Sequence, residues 1–177
     1  MSKNNDPTSF ETERLLLKLT TKEDAAFLLE LLNSPKWLKN IGDRNVRSVR
    51  DAEVYIAERI TPQFQRLGFA NYTVIRKSDQ VKIGVCGLYD RKGLDGVDIG
   101  FAFLPEYEAK GYAYESALKI RDAAFEIWDI TILQGITIEE NLPSRRLLEK
   151  LGFSLVGTTE IPGDDAELLL YRFSRET

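Results

Sequence analysis

The chain has 177 residues, 43% of them hydrophobic and 29% charged, with a net charge of −4, one cysteine and no histidine. Its length suits one domain of roughly 150 residues built around a single core, and its composition is that of a soluble globular protein, which excludes a disordered chain and gives no sign of a fibrous one. Without histidine there is no Ser-His-Asp triad or other imidazole mechanism, and a structural zinc site is argued against.

The acidic balance speaks against a nucleic-acid surface, which needs a basic face. It suits a cationic substrate, although plain solubility is the simpler explanation. The N-terminus MSKNNDPTS has no apolar run, so no secretory signal is expected. No stretch approaches the ~18 apolar residues of a membrane helix, and the expected location is cytoplasmic.

Residues 1–9 read as a loose tail and residues 10–177 as one domain. Leu15, Leu17 and Leu19 alternate on one side of a half-buried strand over residues 14–20. The run from Thr20 to Glu23 has the spacing of a capping box, ahead of a helix that buries Ala25, Leu28, Leu29 and Leu32 and stops near Ser34-Pro35. Residues 35–47 read as a loop, and a second helix runs from Ser48 through Ala52, Tyr55 and Ile56 towards Phe64. Three strands follow in a meander over residues 71–76, 82–89 and 97–104. Cys86 lies within the second of them as a small core hydrophobe.

Pro105 ends the third strand of the meander and Gly111 opens a helix. There Ala117, Ile120, Ala124 and Ile127 recur at helical spacing, opposite Glu115, Lys119, Asp122 and Glu126. The join leaves backbone N–H groups over residues 110–114 free to point at an anion. A strand over residues 132–139 then runs parallel to the strand before the helix, since a right-handed crossover joins them. A short helix over residues 143–151 ends at Gly152, and a hairpin over residues 154–161 and 168–175 completes the order βααβββαβαββ, a mixed α/β sheet.

The segment Glu108-Ala-Lys-Gly-Tyr-Ala113 resembles the (Gln/Arg)-x-x-Gly-x-(Gly/Ala) loop of the GNAT N-acetyltransferase superfamily, and PEYEAKGYAYESA is similar to its RimJ/RimL-type branch. Asn141-Leu-Pro-Ser144 followed by Leu148-Glu-Lys-Leu-Gly-Phe153 matches that branch in order and spacing, as does Thr12-Glu-Arg-Leu-Leu-Leu17. The resemblance implies a central mixed, mostly antiparallel sheet of about seven strands with helices on both faces, the fourth and fifth strands parallel and splayed. It also implies acetyl-CoA as co-substrate and no metal. Backbone groups of Ala109, Lys110, Gly111, Tyr112, Ala113 and Tyr114 would hold the pyrophosphate. The pantetheine arm would lie beside unpaired amides near Phe103 and Leu104, and Asn141 and Ser144 would meet the coenzyme further along.

The same resemblance assigns the chemistry. Asp98 stands where many members carry a glutamate base; one methylene shorter, it reaches an amine through water, or else is a solvated strand-end carboxylate. Glu139 or Glu140 is the fallback. The short helix lacks the usual tyrosine, so Ser144 is the proton donor to the departing thiolate, with Tyr89, Tyr112 and Tyr114 as further candidates. Asn141 is alternatively a helix cap. Glu108 departs from Gln or Arg and would repel pyrophosphate unless it turns outward or Lys110 offsets it.

The acceptor is a protein N-terminal α-amine or a small-molecule amine. An α-amine near pKa 8 is neutral in about one molecule in ten at about pH 7, against about one in 2,500 for a lysine. A non-catalytic acyl-CoA-binding or sensing domain is the alternative. A homodimer, common in this branch, is decided by no sequence feature.

Overall fold

A computed structural model describes residues 7–164 and 166–175. Residues 1–6 of the expected tail, and Asp165 of the last hairpin turn, lie outside the described residues. The alternating leucines form a strand, β2 (Leu15–Leu19), that buries Leu15 and Leu17. It pairs with a preceding strand absent from the expected order, β1 (Ser9–Glu11), whose Phe10 ring meets Tyr72 edge-on. Ser9 therefore belongs to the sheet rather than to a tail.

The sheet continues through β3 (Asn71–Arg76), β4 (Val81–Asp90), β5 (Val97–Phe103) and β6 (Ile132–Thr137). It closes with β7 (Ser154–Thr159) and β8 (Leu168–Ser174). The spatial order is β1-β2-β3-β4-β5-β6-β8-β7, eight strands instead of about seven. Every pairing is antiparallel except β5 with β6. That exception follows from the crossover helix α5 (Tyr112–Glu126), which carries the chain back so that both strands run the same way.

Helices cover both faces. On one, α5 packs Ala117, Ile120 and Ala124 against Cys86, Leu88 and Ile99, with Leu148 of α6 (Leu142–Lys150) in the same cluster. On the other, Leu28 and Leu31 of α1 (Ala25–Leu32) and Ala52 of α3 (Val49–Tyr55) pack on Val85, Ala102 and Leu104. No described helix is long and apolar enough to cross a membrane.

The helical region differs from expectation in three places. The cap before α1 is shifted by one residue: Thr21 N donates to Asp24 Oδ2 at 2.9 Å, so the pair is Thr21 and Asp24 rather than Thr20 and Glu23. A helix, α2 (Pro35–Asn40), occupies the expected loop, its proline at the start where a missing N–H costs no helical bond. The second predicted helix begins as expected, with Ser48 accepting from Asp51 N at 3.0 Å. It passes through a π turn over Ile56–Ile60 before α4 (Thr61–Leu67), a register change that shifts the faces of α4 relative to those of α3.

One irregularity prepares the site. β5 and β6 pair only at Val97–Leu133 and Asp98–Gln134. Beyond Asp98 the two strands diverge, as expected, and their facing backbone groups are left without a ladder partner.

Candidate active site

The divergence opens a cleft of about 920 Å³. Phe101 and Ala102 of β5 line one side, Ile136 and Thr137 of β6 the other, and Asn141 and Ser144 lie where α6 begins. Because strand side chains alternate, Ile99 and Phe103 point to the α5 face and Asp98, Gly100 and Ala102 to the face of α1 and α3.

Backbone donors at the cleft follow from the same alternation. Leu104 N donates to Ile83 O at 3.0 Å, which corrects its expected role as a free amide. Consecutive amides of an antiparallel strand face opposite edges, so along the unbroken β4–β5 register those of Phe101 and Phe103 face the gap.

The second donor group is the start of α5. After a 3₁₀ turn, Pro105–Tyr107, the chain turns through Ala109 at φ 58° and Gly111 at φ 83°, both left-handed. Arg14 anchors this loop to the sheet, its Nη1 donating to Lys110 O at 3.1 Å and its Nε to Glu115 Oε1 at 2.8 Å. The helical bonding starts when Glu115 N donates to Gly111 O at 3.0 Å. The amides of Tyr112, Ala113 and Tyr114 precede that bond, and glycine offers no side-chain cap. Three converging N–H groups at the positive end of a 15-residue helix suit a phosphate oxygen.

Glu108 is neutralised, though not by Lys110. Its carboxylate forms an ion pair with Lys36 of α2, an element that replaced the expected loop. The tyrosines are also accounted for. Arg14 sits 4.4 Å above the Tyr112 ring and Lys150 Nζ 4.0 Å above that of Tyr114, while Tyr89 donates its hydroxyl proton to Asn71 Oδ1. Tyr112 and Tyr114 do not line the cleft, and the hydroxyl of Tyr89, which does, is engaged; Tyr55, which the sequence did not single out for chemistry, also lines it.

Asp98 is not solvated. It is fully buried, and Arg91 Nε lies 3.0 and 2.9 Å from its two oxygens. Burial raises its carboxyl to about 6, although the neighbouring guanidinium draws it down. Arg91 was missed as a site residue. The signal was the hairpin register, which sets Tyr89 opposite Asp98 and so puts Arg91 beside it. Lys36 and Trp37 fell within the expected loop, because α2 was not foreseen.

Asn141 caps α6, its Oδ1 accepting from Ser144 N at 3.4 Å, which leaves the NH₂ end of the carboxamide for other use. Ser144 is half-buried on the cleft wall. Glu139 and Glu140 are exposed turn residues beyond β6 and do not line the cleft. Cys86 is buried with its thiol pushed up to about 12, as suits a core residue.

This fold, with its parted pair of parallel strands beside a glycine-led helix, belongs to a known class: residues 14–154 match the Acetyltransferase (GNAT) domain family. The chain belongs to the GNAT acetyltransferase family and is an acetyltransferase. It is 24% identical over 83% of either chain to the uncharacterized N-acetyltransferase YoaA of Bacillus subtilis. Its fold is similar to that of an acetyltransferase from Agrobacterium tumefaciens (TM-score 0.80, 21% identity, 94% of each chain). It is also similar to that of the ribosomal alpha-N-protein acetyltransferase RimL in complex with coenzyme A (TM-score 0.78, 17% identity, 92% of this chain and 95% of that one).

Proposed function

We propose that the protein transfers the acetyl group of acetyl-CoA to a primary amine by direct attack within a ternary complex, as an enzyme of the RimJ/RimL-type branch. The observation that carries this is the end of β5–β6 pairing at Asp98, which leaves inward-facing amides beside an open cleft. Acetyl-CoA supplies the activated acyl group as a thioester. The chain's donors fit it: amides of Tyr112, Ala113 and Tyr114 for the pyrophosphate, those of Phe101 and Phe103 for an arm lying like an added strand, and the Asn141 carboxamide beside it.

The Phe101 and Phe103 amides also stand where carbonyl oxygen gathers charge during attack. One preorganised donor of this type lowers a barrier by about 3 kcal/mol. Asp98 lies on the opposite face of β5, where an amine would enter, and takes the proton that the amine gives up. A carboxyl near 6 is ionised at neutral pH yet basic enough for that transfer. Ser144 Oγ delivers a proton to the departing sulfur and recovers one from solvent.

Cofactor at about 100 times its dissociation constant stabilises the protein by about 2.7 kcal/mol, so a melting curve tests binding and release of free thiol over a panel of amines tests turnover. Asp98→Asn and Ser144→Ala each lower turnover without removing the melting shift. Unchanged turnover in both removes these roles. One observation favours a non-catalytic acyl-CoA-binding domain: both Asp98 oxygens are engaged by Arg91. That alternative gives a melting shift with no thiol released from any acceptor.

A further inference from the structure

The whole-chain charge of −4 suits a cationic partner, but the cleft is lined by as many cations as carboxylates. Its lining includes Asp43, Asp90 and Asp98, each already held by an arginine: Asp43 by Arg47, Asp90 by Arg66 and Asp98 by Arg91. Asp164 accepts from Ala166 N at 3.0 Å within its own turn. Arg44, Arg59 and Lys92 line the same cleft and have no carboxylate partner among the described residues. Trp37 Nε1, on the same wall, is a buried donor with no acceptor. Three of these four carboxylates are paired with arginine, whereas the three cations have no carboxylate among the described residues; Arg59 lies 6.0 Å from the centre of the Tyr55 ring.

We infer that the acceptor is a small amine that also carries an anionic group, a carboxylate or a phosphate, held by Arg44 and Arg59 while its amine meets Asp98. This rests on the acetyl-transfer reading above. An ammonium group alone would leave three cations facing it. The cleft's outer wall also favours a small molecule. A Cβ on Gly93 would stand 2.3 Å from Pro162 Cδ, so the loop after β4 and the turn after β7 are in contact there.

The test compares γ-aminobutyrate with butylamine, phosphoethanolamine with ethanolamine, and adds a short neutral peptide with a free N-terminus. Thiol release from acetyl-CoA is read as kcat/KM. One charge-assisted contact predicts an advantage of about tenfold or more for the anionic member of a pair, shrinking as salt screens Arg44 and Arg59. The carboxylate and phosphate arms show which anion is preferred. Combined Arg44→Gln and Arg59→Gln remove the advantage while the acetyl-CoA melting shift persists.

Equal or better turnover of the neutral amines or the peptide overturns the inference, as does an advantage that survives in the double variant. A melting shift with no turnover of any anionic amine overturns it too and leaves the cofactor assignment standing. Absence of any shift with acetyl-CoA removes both.

Discussion

Arg91 Nε bridges both carboxylate oxygens of Asp98, at 3.0 and 2.9 Å, across the closed end of the cleft. The pair joins the loop after β4 to the last residue of β5 that pairs with β6, so the charge of one element sets the proton affinity of the other. Burial raises the Asp98 carboxyl to about 6 while Arg91 pulls it down and Asp90 raises it slightly.

The pH dependence follows from that carboxyl. With Asp98 in the proposed role of base, turnover requires the ionised form and kcat/KM rises through about pH 6. Arg91→Gln withdraws the stabilising cation and moves this limb to higher pH. Stability runs the other way: folded Asp98 binds its proton more tightly than the unfolded residue at about 3.9. Unfolding free energy therefore falls, by up to about 3 kcal/mol, as pH rises from about 4 to above 6. Denaturant titrations of the wild type and Asp98→Asn across that range check it; the variant lacks this slope.

The left-handed loop yields a paired prediction. Gly111→Ala forces a side chain into φ 83° and sets a Cβ 3.2 Å from Arg14 Nη2. A loss of about 1 kcal/mol in stability accompanies weaker coenzyme A binding by calorimetry, because the amides of Tyr112 to Tyr114 turn with the loop. Ala109→Gly, at φ 58°, relieves the same kind of strain and leaves binding intact.

Lys36 and Glu108 form a removable pair. Lys36→Ala leaves a bare carboxylate three residues before Gly111 and weakens coenzyme A binding, an effect of about 0.3–1 kcal/mol for a charge near a helix start. Glu108→Gln in that background restores affinity. The affinities of the two single variants and the double variant, measured at low and high salt, decide it: an electrostatic cause fades with salt.

Gly100 makes room for Tyr89. A Cβ there would stand 2.8 Å from the Tyr89 ring, over which the Arg91 guanidinium lies at 4.9 Å. Gly100→Ala costs about 1–3 kcal/mol by overpacking. It also displaces the ring and guanidinium together, so the acid limb of kcat/KM moves as in Arg91→Gln. A stability loss with an unmoved limb would show that the ring does not position Arg91.

Strands, the crossover helix and the glycine turn were legible because their signals are local. Leu15 and Leu17 alternate, Ala117 and Ile120 recur at helical spacing, and Gly111 stands at the one left-handed residue from which α5 starts. β1 escaped notice because three residues carry too short a pattern, and Ser9–Glu11 is held by pairing with β2. The cap at Thr21 moved by one residue because Asp24, rather than Glu23, turned back to its amide.

By itself the sequence determined the order of elements from β3 to β8, the parallel relation of β5 to β6 and the place where three amides are left free, since each depends on neighbours within a turn or a strand. Tertiary structure alone decided which charges are spent. Asp98 went to Arg91, Glu108 to Lys36, and the hydroxyl of Tyr89 to Asn71, while Arg44 and Arg59 were left without a carboxylate partner among the described residues. Composition counts charges without pairing them; pairing depends on distances of a few ångströms between segments far apart in the chain, set only when α2 and the sheet pack together.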